Sequence, residues 1–322
     1  MRLVKVPSNP AGVHEPIRFC APQERVTAGG TALNIPCLVV EMGTRQVSFS
    51  QTELGRIESV SDFVESGLAL ATKNPRAKIV YRGQPRGADK LQPSIGRRWE
   101  YGGRWKNFDA EDEANLLHRF RRRVYPFEGK LTPLEALFVA RDYGLPTRLL
   151  DWTASALYAL YFASASHPDE EGVVWALRPH DDDSQKFALN PFQLASLGTE
   201  QELLGFLPRD QVKIIFPIFN SPRIVAQDGL FTLHARPDKP LESYRGRRFR
   251  AGDIDIHSLY RWRVEADRKP RIVQQLNGLG ITHRTVYPDR EGIARSLWET
   301  EVLWNGRSLT ERAKPRSRKR RR

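Results

Sequence analysis

The chain has 322 residues, 40% hydrophobic, 10% aromatic and 28% charged. These are the proportions of a globular protein with enough length for a substantial core. No stretch approaches the roughly 18 uninterrupted apolar residues of a membrane helix, and residues 1–10 carry Arg2 and Lys5 with no apolar run behind them, so neither a membrane partner nor a signal peptide is expected. Two cysteines, Cys20 and Cys37, exclude a disulfide framework or a zinc cage and fit a reducing, cytoplasmic setting.

Residues 1–56 read as an irregular N-terminal segment with two short strands, at 38–40 and 47–49. A core is expected over 57–305. The pattern predicts a helix over 61–73, with Phe63, Val64, Leu68 and Leu70 for its apolar face, then a strand over 78–81 that runs into the turn Arg82-Gly83-Gln84-Pro85. A helix over 111–124 follows, marked by Leu116, Leu117, Phe120 and Val124. Thr132-Pro133-Leu134-Glu135 is a capping box with proline at the first helical position, and Gly144 and Pro146 end the helix it opens. Thr153 or Ser155 can cap the next helix. Strands are predicted over 172–177, 212–219, 229–234 and 260–264, and helices over 269–279 and 289–304. Strands and helices mix without strict alternation, which makes the fold class α+β, a mixed sheet with helices packed on it. Of the net charge of +13, residues 312–322 supply eight (Arg312, Lys314, Arg316, Arg318, Lys319, Arg320, Arg321, Arg322), leaving +5 for the rest. Residues 306–322 therefore read as a disordered basic tail that attracts phosphate non-specifically or stays solvated.

Two segments carry the densest chemistry. Tyr81-Arg82-Gly83-Gln84 sets a guanidinium at a strand end, where its planar fork suits a carboxylate or phosphate and Gly83 permits close approach to the backbone. The segment 142–153 places Arg148 and Asp151 among Leu145, Leu149, Leu150 and Trp152. Charges buried there must be paired, with each other, or with Arg82, or with a ligand. Asp253, Asp255 and His257 alternate at a spacing that would hold a divalent ion on a strand, but Gly252 and the weak strand pattern favour a surface loop, and no metal is expected. His180 with Asp181, Asp182 and Asp183 reads as a turn, and His234 as a core residue at a strand end.

Tyr81-Arg82-Gly83-Gln84 with residues 91–97, the run Tyr143-Gly144-Leu145-Pro146-Thr147-Arg148-Leu149-Leu150-Asp151-Trp152-Thr153, and the blocks at 222–234 and 287–294 resemble the FRG domain family, over roughly residues 78–297. The resemblance implies a single large core and a site built from the motif residues: Arg82, Gly83, Gln84, Tyr143, Thr147, Arg148, Asp151, Trp152 and Gln227. It also carries a departure, since the family usually has histidine where this chain has Asp142, which weakens any mechanism based on that imidazole. The Tyr-Arg-Gly strand further resembles the nucleotide-gripping arginine of arginine-type ADP-ribosyltransferases, which implies NAD as a cofactor, Arg82 on its phosphates, and Asp151 or Glu301 stabilising a ribosyl cation. Thr153 and Ser155 match that family's Ser-Thr-Ser strand poorly. Glu299-Thr300-Glu301 matches its acidic pair in spacing, but on a helical pattern, where residues two apart do not share a face. The expected partner is an anionic small molecule, or a nucleic acid met by the arginine clusters at 97–98, 119–123 and 245–250 with Trp99, Tyr101 and Trp105 as stacking platforms.

Overall fold

A computed structural model describes residues 47–48, 50–73, 78–179, 194, 196–207, 211–218, 221–244, 248–249 and 256–304. The expected strand at 38–40, the basic tail, the 245–247 arginines, the His180–Asp183 turn, and Asp253 and Asp255 fall outside the described residues. In chain order the elements are β1 (Val47–Ser48), β2 (Ser50–Ile57), α1 (Val60–Lys73), β3 (Val80–Gln84), β4 (Trp99–Tyr101), β5 (Arg104–Lys106), α2 (Ala110–Glu128) and α3 (Pro133–Asp142). They continue with β6 (Leu149–Thr153), α4 (Ala156–Ser164), β7 (Gly172–Pro179), α5 (Glu200–Gly205), β8 (Val212–Ile215), α6 (Pro222–Ala226) and β9 (Gly229–His234). The last are β10 (Arg248–Phe249), β11 (Ile256–Val264), α7 (Lys269–Gly278), α8 (His283–Val286) and α9 (Arg290–Trp304).

The fold is α+β, as expected. A seven-stranded mixed sheet runs in the order β2-β11-β7-β3-β6-β9-β8, parallel only between β2 and β11. Its edge strand β2 comes largely from the segment expected to be irregular. The capping box at Thr132 forms as predicted, with its hydroxyl and the Glu135 carboxylate each taking the other's backbone N–H, and Ser155 caps α4.

Side-chain alternation divides the sheet into two faces. On one face, Ile57, Tyr81, Val174, Ala176, Trp262 and Val264 pack beneath α1, α4 and α7. On the same face, Leu149, Ile215, Phe231 and Leu233 pack beneath α2, α3 and α5. The opposite face, with Val80, Leu150, Trp152, Trp175 and Leu230, is closed by Leu91 from a loop and by Leu241 and Tyr244 from a short 3-10 helix. The two helical layers meet above the β3–β6 boundary. There the ladder is a single pair, Tyr81 opposite Thr153, whereas β3 matches β7 over five residues and β6 matches β9 over five. The sheet is thus two half-sheets joined by one residue pair, and beyond Tyr81 the strands part.

Candidate functional site

The parting of β3 and β6 exposes backbone groups that a full ladder would cover. Arg82, the next residue along β3, fills the gap: its Nη1 donates to the Asp151 carbonyl oxygen at 2.7 Å and to the Asp151 carboxylate at 3.2 Å. From the last turn of α3, Arg141 grips the same carboxylate with Nε, 2.8 Å from Oδ1, and with Nη2 on Oδ2. One carboxylate therefore holds two guanidiniums from two elements. Burial pushes the Asp151 carboxyl up, but Arg141 and then Arg82 more than reverse this and hold it far below the usual carboxylate range. Burial works against the Arg82 charge, which Asp151 opposes and Arg141 and Arg97 reinforce. Burial likewise lowers Arg97, with Asp89, Arg141, Arg86 and Asp151 all within reach of its field.

The site is closed on some sides and open on others. The Arg82 side chain is 14% exposed and that of Asp151 38%. Arg82 Nε is buried with no hydrogen-bond partner among the described residues. The arginines around the carboxylate, Arg82, Arg86, Arg97 and Arg141, outnumber the acids Asp89, Asp142 and Asp151. A second wall starts one residue past Arg141. Asp142, which departs from the histidine implied by the family resemblance, accepts a hydrogen bond from the Ser221 hydroxyl at the start of α6. Arg223 lies over the Tyr287 ring and pairs with Asp289. Tyr287 is raised by burial and feels the Asp151 charge.

The other expected site residues divide sharply. Gly83 does not admit a ligand, because a Cβ there would lie 1.9 Å from the Ala159 carbonyl oxygen: α4 occupies the approach. Gln84 is buried and accepts from Trp175 Nε1 at 2.6 Å. Trp152 is buried and donates to the Thr232 hydroxyl. Thr147 is buried and its backbone N–H donates to Ser94 Oγ. Arg148 is 3% exposed, and Glu113 of α2 takes its Nε and Nη2 at 2.9 and 2.8 Å while Leu204 O takes Nη1. Arg148 is thus neutralised inside the protein, away from the Asp151 carboxylate. Gln227 donates to Val286 O and its own carbonyl accepts from Thr153 Oγ1. Tyr143 caps α3 and is largely exposed. Glu301 lies on the exposed surface of α9, and the side chains of Glu299 and His257 fall outside the described residues. Sequence reasoning missed Arg141 and Glu113. The signal for Arg141 was present: it is the one cation in a helix whose preceding residues, from Pro133 to Ala140, are otherwise apolar apart from Glu135. The acid that pairs with Arg148 lies 35 residues away on another helix.

The family model of the FRG domain matches residues 77–172. The chain carries an FRG domain. That span holds every member of the arginine cluster, together with β3, α3, β6 and α4, so the FRG domain supplies both the split in the sheet and the groups that fill it. Arg223, Gln227 and Tyr287 of the second wall lie outside the match. No curated protein and no solved structure matched the chain.

Proposed function

We propose that the FRG domain of this chain binds an anionic, nucleotide-like ligand at the split between β3 and β6, with the ligand's phosphate taken by Arg82 and Arg141. The observation that carries this reading is the convergence of those two guanidiniums, from a strand and a helix, on one partly exposed carboxylate. Asp151 aims both forks, and the donors it leaves unused, Arg82 Nε among them, suit the bidentate geometry of a phosphate. The Asp151 side chain, 38% exposed, opens this cluster to solvent.

The arrangement favours binding over ribosyl transfer. Stabilising a ribosyl cation takes a carboxylate whose charge is not already compensated, and Asp151 is committed to two arginines while Glu301 faces outward from α9. Calorimetric titration of ATP, NAD and pyrophosphate tests the reading. Wild type should bind at least one of them, and Arg141→Ala should weaken that binding about ten-fold or more while keeping its circular dichroism spectrum. Binding of none of the three by wild type, or unchanged affinity in a folded Arg141→Ala, overturns it. Incubation with labelled NAD and lysate should leave proteins unlabelled; label transfer lost in Arg82→Ala would instead establish the transferase reading.

A further inference from the structure

A second surface, separate from the split sheet, has its own chemistry. β4 and β5 form an antiparallel ribbon around Gly102-Gly103, both with positive φ (58° and 74°), the two-residue turn that the natural twist of a ribbon prefers. All six strand residues are exposed. An isolated two-stranded ribbon is marginal without a covering body, yet this one carries three large aromatics: Tyr101 is 91% exposed, Trp105 53% and Trp99 38%.

The register sorts these side chains. Trp99 opposes Lys106 and Tyr101 opposes Arg104, so these four share one face. Trp105 shares the other face with Glu100 and lies 4.0 Å beneath the Arg98 guanidinium. Trp99 Nε1 donates to Ser94 O at 2.8 Å, which fixes its indole. Residues two apart on a strand stand about 6.7 Å from each other, twice the 3.4 Å per-strand repeat of stacked bases. That backbone spacing matches one base set between the two residues, with Lys106 and Arg104 directly across the ribbon.

Charge selects the occupant. Arg98 and Arg104 make no ion pair among the described residues, and Lys106 shares only Asp112. α2, which the ribbon leads into, carries Arg119, Arg122 and Arg123, exposed and without an ion pair among the described residues, at spacings where like charges on a helix repel. We infer that the β4–β5 ribbon binds single-stranded nucleic acid, a base entering between Trp99 and Tyr101 while Arg104 and Lys106, on the same face, contact the flanking phosphates. Stacking accepts any base and does not read the sugar.

Fluorescence anisotropy with a labelled 12-nucleotide oligouridine, on the full chain, tests this. The variants lie on exposed positions, and unchanged thermal midpoints confirm their folding. Tyr101→Ala should lose roughly five-fold or more in affinity with an unchanged salt slope, and Tyr101→Phe should bind as wild type does. Arg104→Ala should weaken binding and flatten the slope of log K against log salt by about one. A 12-base-pair duplex, whose bases are already stacked, should bind more weakly than the single strand. The inference is overturned if wild type does not bind, if Tyr101→Ala binds as tightly as wild type (contact through the basic tail alone), or if the duplex binds as well as the single strand. It is equally overturned if Tyr101→Ala changes only the oligomeric state in sedimentation.

Discussion

Arg82 lies within β3 and Arg148 just before β6; both guanidiniums are buried, and of the two only Arg82 keeps a donor without a partner among the described residues. Arg148 is saturated by Glu113 and a backbone carbonyl, and both members of the pair are under 5% exposed. Arg82 shares its acid with Arg141 and keeps a buried donor unpaired. The difference follows from the ratio of charges at each position, one acid to one base against one acid to two. It gives separable expectations. Glu113→Gln strands the Arg148 charge inside the protein and should cost about 3–5 kcal/mol in urea unfolding, whereas replacing both partners together, Arg148→Met with Glu113→Leu, should cost clearly less than the single change. If the double variant is as unstable as Glu113→Gln, the pair contributes net stability and does more than satisfy itself.

At the scale of elements, the site exists because β3 and β6 touch through one residue pair while α4 lies almost on the backbone of β3. Gly83 and Gly172 make that approach possible: a Cβ would meet the Ala159 carbonyl at 1.9 Å or the Ala163 carbonyl at 2.3 Å. Gly83→Ala should therefore lower stability by about 3 kcal/mol and weaken ligand binding with it, since lifting α4 shifts Arg82; an unfolding midpoint within error of wild type would mean that the helix slides at no cost. The elements legible in the sequence were those with local punctuation, α3 through its capping box and α2 through its near-helical spacing; α1 forms as expected, but of its four expected apolar-face residues Val64 and Leu68 are exposed. β6 carries no alternation because both its faces are buried, and Leu149, Leu150 and Trp152 all enter cores. The β4–β5 ribbon has no core to alternate against, although Gly102-Gly103 between aromatic pairs is a hairpin signal. For the site, the Arg82–Asp151 pairing was one of the options the motif left open. Arg148 was misplaced toward the ligand because nothing within its own segment reveals an acid on α2. Gly83 was taken as space for a ligand because a sequence shows that a Cβ is missing, not what fills its place.

The whole molecule couples its two half-sheets through buried charge, and acid should expose that coupling. His234, at the end of β9, is fully buried; burial lowers its pKa to about 3, and the nearby Arg148 and Arg82 charges add to the effect. Its Nε2 meets the Thr232 hydroxyl at 2.9 Å, and its Nδ1 has no partner among the described residues. An unfolded chain protonates this histidine near 6.5, so between pH 6.5 and about 3 the unfolded state holds the extra proton, and stability falls as pH falls, by at most about 1.4 kcal/mol per pH unit. Asp151 acts lower down. Its folded pKa lies far below the unfolded value near 3.9, so its contribution is complete above that value and is lost only as pH drops through the acidic range beneath it. Urea unfolding followed across pH should thus show two successive losses. In His234→Gln the first should flatten between pH 6.5 and 4.5 while the loss below pH 4 remains, and in Arg141→Ala the lower one should shrink while the upper persists. A His234→Gln variant that keeps the full upper slope would show that the histidine is not what resists the proton.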